Sequence, residues 1–180
     1  MYEHSRSSKK TRTFTFRIDS ETLKSLQSES DAQNITLNTL INKILKRYVE
    51  WDTYEPKLDM IPMARQVISG LFNLMTEEEI SYLANNFGRN AVKDISLFMK
   101  MGLDPNSFLK WFESRMKRSF IEFNSTQNND HFTCILKHNM GYNWSLYHKK
   151  ILEKIFNEVF NKQVNIETSE YMLTFKFKLD

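Results

Sequence analysis

Thr13, Thr15 and Arg17 stand at alternate positions in the stretch RTFTFRI, with Phe14, Phe16 and Ile18 at the positions between and after them. Successive side chains of an extended chain point to opposite faces, so this order separates a row of hydroxyl and guanidinium groups from a row of large apolar groups. The polar row can donate and accept hydrogen bonds, and the apolar row must be covered. His131, Cys134, His138 and His148 form a second set of reactive types, since imidazole and thiolate are ligands for zinc, nickel or copper. Their spacing argues against that use. On a strand from 132 to 138, Cys134 and His138 share a face but lie about 13 Å apart at roughly 3.3 Å per residue, and His131 falls on the other face. No metal and no cofactor is expected, and Cys134 reads as a small buried core residue.

Catalysis would need a nucleophile beside a base, or two carboxylates in a pocket. Glu77, Glu78 and Glu79 are instead consecutive after Thr76, where carboxylates favour a helix start. With four glycines in the whole chain, the string His138 to Tyr147 (HNMGYNWSLY) is no phosphate loop, which needs several exposed backbone amides. No enzymatic activity is expected. That string does read as a sharp strand–loop–helix corner, and His138, Trp144 and Tyr147 are its candidate contacts for a small-molecule or protein effector.

The elements around the polar row explain its place. Residues 13–18 form the one strand-like run in the first 100 or so residues, and a lone strand leaves its backbone donors and acceptors unpaired. The same strand of a second copy is the simplest partner. Pairing about a two-fold axis would set four Phe and two Ile against the helices and leave Thr and Arg outside, a ribbon that fits the major groove of DNA. After it, Asp19-Ser20-Glu21 starts a helix with Leu23 and Leu26 on one face, weakened by Ser25, Ser28 and Ser30. Gln33-Asn34-Ile35 makes a turn. A second helix opens at Thr36, and Leu37, Leu40, Ile41, Ile44, Leu45 and Tyr48 trace its apolar stripe.

In this order of arm, strand, helix, turn and helix, residues 10–51 resemble the ribbon-helix-helix (Arc/MetJ/CopG-type) DNA-binding family. The match covers under a third of the chain. The resemblance implies that Thr13, Thr15 and Arg17 contact base edges, and that Lys9, Lys10, Arg12 and the amides at Thr36 and Leu37 contact phosphate. Helix N-termini also favour anions on physical grounds. The dimer core would contain Phe14, Phe16, Ile18, Leu40 and Ile44. The chain departs from the family in carrying Asn34 where Gly is frequent in the turn, though Asn also tolerates a left-handed conformation.

Charge agrees with this placement. Residues 1–50 hold 9 Lys/Arg against 6 Asp/Glu, and residues 51–180 hold 16 against 16, so the whole net charge of +3 sits in the first segment. Before Ile18, five basic residues face the single acid Glu3, an electrostatic footprint for phosphate. One cysteine excludes an internal disulfide framework. Neither a signal peptide nor an apolar run of membrane-spanning length is evident, so a cytoplasmic, nucleoid-associated protein with no membrane partner is expected.

The expected domains are a basic arm (1–11), the ribbon-helix-helix unit (12–51), a linker (52–62) bracketed by Pro56 and Pro62, and an α+β regulatory or assembly domain (63–180). In the last, residues 63–75 are apolar and helical, and Thr76 to Glu79 forms a capping box. A helix then runs to about Phe87 and stops at Gly88, and another runs from about Asn90 to Met101. That pair looks like a helix-turn-helix, but Leu97, Phe98, Met99 and Met101 suit core packing better than recognition. Asp104-Pro105 opens a helix to about Arg118. Residues 120–123 form a short strand and 124–130 a polar turn. A strand at 132–138, a long helix from Trp144, and a hairpin of 164–168 with 171–179 complete a small, mainly antiparallel ββαββ sheet. The expectation is a sequence-specific transcriptional regulator of double-stranded DNA that acts as a homodimer, with a higher oligomer on DNA as the further option. The alternative is an antitoxin or plasmid-maintenance protein whose C-terminal domain binds a protein partner.

Overall fold

A computed structural model of the chain describes residues 11–53, 55, 62–98 and 104–179, with side chains left aside for 89–98. The chain divides into two compact units, Met1–Asp52 and Thr53–Asp180. The architecture is α+β, with a single four-stranded antiparallel sheet among the described residues. No helix among the described residues is long and apolar enough to cross a membrane.

In the first unit, residues 11–19 form no helix, turn or paired strand, and Asp19 has an extended backbone. Asp19 caps α1 (Ser20–Ala32) by accepting from the Thr22 amide at 2.8 Å. The helix ends in a Schellman turn, in which Asn34 at φ 52° donates its N–H to the Asp31 carbonyl and Ile35 donates to the Ser30 carbonyl. Thr36 then caps α2 (Leu37–Arg47), accepting from the Thr39 amide at 3.1 Å. Helical bonding persists as a π turn through Tyr48–Asp52, one residue into the stretch expected as linker.

The second unit opens with α3 (Arg65–Leu74) and α4 (Glu77–Phe98). The capping box between them forms as expected: Glu79 accepts from the Thr76 amide at 2.7 Å, and Thr76 Oγ1 accepts from the Glu79 amide at 3.3 Å. Gly88 does not end the helix, which corrects the expected stop. It sits inside α4, buried, where an added Cβ would lie 3.3 Å from the Lys154 side chain. Its role is close approach to the helix carrying Lys154. The expected pair of helices is therefore one helix through Phe98, and Met101 and Gly102 lie outside the described residues.

Asp104 and Pro105 start α5 (Pro105–Arg118), with Asp104 accepting from the Asn106 and Ser107 amides at 3.0 Å each. A second Schellman turn ends it, with Phe120 at φ 54° and Ile121 donating to the Met116 carbonyl at 2.9 Å. Strand β1 (Glu122–Asn128) begins later and runs longer than expected, through residues read as a turn. The actual turn is Asn129–Asp130, with Asn129 at φ 56°. The physical reason is that β1 is an edge strand whose residues beyond Phe123 are exposed, so a polar composition fits it as well as it fits a loop.

Strands β2 (His131–Lys137), β3 (Val164–Thr168) and β4 (Met172–Lys178) complete a sheet in the order β1-β2-β4-β3, all neighbours antiparallel. Between β2 and β3 runs α6 (Tyr142–Lys154), continued by a π segment at Ile155–Val159. Register places Phe132 opposite Phe177, Cys134 opposite Phe175 and Leu136 opposite Leu173 on the inner face. These pack on Phe108, Phe112, Leu152 and Phe156 in one core. The outer face carries cross-strand ion pairs, Glu122 with Lys137 and Glu167 with Lys176, which contribute little each because they are exposed.

Candidate nucleic-acid interface

The first unit has almost no core of its own. Among residues 11–52 only Ser30, Leu40 and Trp51 are buried. Phe14 is 84% exposed and Phe16 51% exposed, and Ile18, Leu23, Ile44, Leu45 and Tyr48 are also open to solvent. The apolar face of α2 is therefore bare over most of its length, with Leu40 as its one buried residue. So much exposed apolar surface in a segment of this size marks an interaction surface.

Of the DNA-contact residues named from the sequence that lie within the described residues, Arg12, Thr13, Thr15, Arg17 and Thr36 are exposed and Leu37 is half-buried. Lys9 and Lys10 lie outside the described residues. Phe14 and Phe16 stack on each other with ring centroids 6.4 Å apart, and Thr13, Thr15 and Arg17 at the alternate positions are exposed. At the start of α2, the Thr36 hydroxyl takes the Thr39 amide and also bonds the Thr39 hydroxyl at 2.8 Å. The remaining first-turn amides of a helix point outward with the positive end of its dipole. Asp19 is held below the usual carboxylate range by hydrogen bonds from the Thr22 backbone and hydroxyl, which keeps that cap charged at neutral pH.

The corner from His138 to Tyr147 is internally committed. His138 is buried, its Nδ1 accepts from the Met140 amide at 3.3 Å, and its Nε2 lies 2.8 Å from Ser145 Oγ. Ser145 Oγ donates to the Ser169 carbonyl at 2.8 Å. A donor to Nδ1 and a spent Ser145 proton together require the neutral imidazole with its hydrogen on Nε2. Trp144 is buried between two imidazoles, with ring centroids 4.4 Å from His138 and 3.7 Å from His148. Tyr147 stacks edge-on against Phe72 at 5.4 Å. His138 and Trp144 are thus brought together while Tyr147 turns to Phe72 of α3, and the His138–Ser145–Ser169 bonds tie β2, α6 and the β3–β4 turn to one another.

Burial lowers the His138 pKa to about 4 and the His148 pKa to about 3, so both are neutral at ordinary pH. Burial, with Glu113 nearby, pushes the Cys134 thiol up to about 12, the property of an inert core cysteine. Among the described residues no three His, Cys, Asp or Glu are grouped to hold a metal ion.

Ser145 and Ser169 were not singled out in the sequence as partners of His138, and no local signal marks them. The same holds for Arg65, whose Nη2 donates to the Ser119 and Phe120 carbonyls at 3.1 and 2.8 Å and so caps α5. Asn143 likewise caps α3, donating to the Phe72 and Met75 carbonyls at 2.9 and 2.7 Å. Between α3 and the corner lies a shallow polar cleft of about 480 Å³ lined by Arg65, Gln66, Ser69, Gly70, Asn73 and Asn139. No family model matches the sequence, and no curated protein matches it.

Proposed function

We propose that the protein is a sequence-specific DNA-binding transcriptional regulator of the ribbon-helix-helix kind, working as a homodimer in the cytoplasm and on the nucleoid. The observation that supports this most is the segment 11–19, which is neither helical nor paired as a strand among the described residues and carries Phe14 and Phe16 stacked and exposed. Exposed apolar faces on α1 and α2 beside it supply the rest of a core that one chain leaves unfinished. Antiparallel pairing of this segment with its copy would satisfy the backbone groups and bury the Phe and Ile row. The same pairing sets Thr13, Thr15 and Arg17 on the outer face, with Arg12 beside them and Thr36 and Leu37 at the phosphate-facing helix start.

A tail that folds only on a partner, as the antitoxin reading needs, fits less well with a second unit that already holds an extensive aromatic core. The test is selection of binding sites from random double-stranded DNA by the full chain. A repeated short motif recovered with two-fold symmetry supports the reading. Recovery of no enriched sequence, at salt low enough for phosphate contacts to hold, overturns it.

A further inference from the structure

Two of the chain's four glycines shape the polar cleft between α3 and the His138 corner. Gly70 lies inside α3, where glycine destabilises a helix relative to alanine. A Cβ added there would meet nothing within 4 Å, so the packing of the chain does not require a glycine. Gly70 lines the cleft, and a longer side chain would stand in its open space. Gly141 acts from the other wall. The Asn73 side chain occupies the space that a Cβ on Gly141 would need, so the bare loop backbone lets Asn73 seat against the corner.

The walls are tied together by the protein itself. Ser69 Oγ donates to the Met140 carbonyl at 3.2 Å, and Asn143 ties the end of α3 to the start of α6. Arg65 is held by the Ser119 and Phe120 carbonyls, both of which accept from Nη2. Its Nε and Nη1 hydrogens have no partner among the described residues, and neither do the side-chain amides of Gln66, Asn73 and Asn139. These groups line a volume of about 480 Å³, inside the range of roughly 300–1,000 Å³ of small-molecule sites.

The lining selects a class of ligand. Arg65 is its one charge, and no carboxylate lines it among the described residues, so an anion is favoured over a cation. With Nη2 engaged elsewhere, one guanidinium supports a single carboxylate rather than a polyphosphate. Each of the three carboxamides offers both donors and an acceptor, the complement of hydroxyl groups. No aromatic or purely apolar side chain lines the cleft among the described residues, so a nucleobase or an acyl chain finds no stacking or apolar contact there. We propose that this cleft binds a small hydroxylated monocarboxylate, its carboxylate on Arg65 and its hydroxyls on Gln66, Asn73 and Asn139, with Gly70 as the floor. The site lies wholly in the second unit and stands whether or not the first unit binds DNA.

Isothermal titration of the full chain with glycerate, threonate and gluconate tests this, with glucose and inorganic phosphate as controls. At least one of the three acids is expected to bind saturably below about 10 mM, and glucose and phosphate roughly tenfold or more weakly. Gly70→Leu fills the floor and is expected to abolish binding, with an unfolding midpoint no lower than the parent's. Asn139 is exposed and its side chain has no hydrogen bond to lose. Asn139→Asp places a carboxylate in the cleft and should weaken the acid by roughly tenfold through like-charge repulsion, with the fold unchanged. Absence of saturable binding by all three acids overturns the proposal. Glucose binding as tightly as the acids overturns the ligand class, and phosphate doing so means an adventitious ion only. Binding that survives unchanged in either variant, each checked to be folded, overturns the site.

Discussion

The rings of Phe14 and Phe16 lie with centroids 6.4 Å apart and planes inclined by 22°, stacked on each other while Phe14 is 84% and Phe16 51% open to solvent. Two residues apart on a strand is the spacing at which side chains share a face. A pair of stacked, uncovered phenyl rings is an unfinished core, and the proposed dimer is what finishes it.

From this follows an unusual dependence for truncation. Phe16 makes little buried contact within one chain, so Phe16→Ala is expected to leave an isolated chain's stability almost unchanged. In the dimer the same change removes a buried aromatic from both halves, on the order of 3–5 kcal/mol for each. Thermal melts across a hundredfold range of protein concentration read this directly. The parent protein's midpoint for the first unit should rise with concentration, and the variant's should drop and flatten. A concentration-independent midpoint in the parent would show that the first unit does not fold through dimerisation.

Arg17 and the basic arm should separate by kind of loss. Arg17→Ala is expected to narrow the gap between the preferred site and random DNA by roughly 1–3 kcal/mol, the worth of one bidentate base contact. Lys9→Ala, Lys10→Ala and Arg12→Ala should weaken both DNAs alike and make the salt dependence shallower by about one phosphate contact each. Competition binding at two salt concentrations distinguishes the two patterns. Parallel losses on both DNAs for Arg17→Ala would move that residue to the phosphate group of contacts.

Backbone conformation sets a pair of opposite effects. Gly141, at φ 87°, caps α6 with the Asn73 side chain against its Cα, so Gly141→Ala is strained twice and should cost more than 1 kcal/mol. Phe120 sits at φ 54° with 83% of its surface exposed. A left-handed conformation costs a non-glycine residue roughly 1–2 kcal/mol, and the exposed ring recovers little in a single chain. Phe120→Gly is therefore expected to stabilise the second unit by about 1 kcal/mol. Urea unfolding of the two variants should move the midpoint in opposite directions. A destabilised Phe120→Gly would mean that the ring is covered by a contact outside the single chain.

How far such features can be read from sequence depends on how local they are. Asp19, Asn34, Thr36, Thr76 with Glu79, and Asp104 with Pro105 all do in the structure what their types and spacing imply, because a cap closes on amides two or three residues away. Gly88 misleads because glycine serves both a helix stop and a close packing point, and the Lys154 stem that decides between them is 66 residues away in sequence. Residues 124–128 mislead because a polar run suits a loop or an exposed edge strand, and pairing with β2 decides. Of the corner, the aromatic cluster is legible, whereas the serines that complete it come from α6 and the β3–β4 turn. For residues 13–18 the sequence shows only an unmet need for a strand partner, and none of the described residues supplies one.

The His138 corner makes the second unit acid-labile over a defined window. Both His138 and His148 have folded pKa values lowered by burial, to about 4 and about 3, against about 6.5 in an unfolded chain. Between these limits the unfolded chain binds protons that the folded one does not, so stability falls as pH falls. The contribution is full above about pH 6.5, declines through the range down to about 4 for His138 and about 3 for His148, and levels off below. Protonating His138 puts a proton on Nδ1, opposite the Met140 amide that donates to it, and leaves a buried cation. Trp144, between the two rings, is a built-in reporter through its fluorescence. Urea midpoints measured from pH 8 to pH 4 should be level to about 6.5 and then drop steadily. Ser145→Ala, which removes the acceptor at Nε2 and frees the Ser169 carbonyl, should lower the unfolding free energy at every pH by roughly 1–3 kcal/mol. Replacing His138 with Asn should lower stability at pH 7 yet make the decline between 6.5 and 4 shallower. An unchanged slope in His138→Asn would assign the acid sensitivity to His148 or to carboxylates elsewhere in the chain.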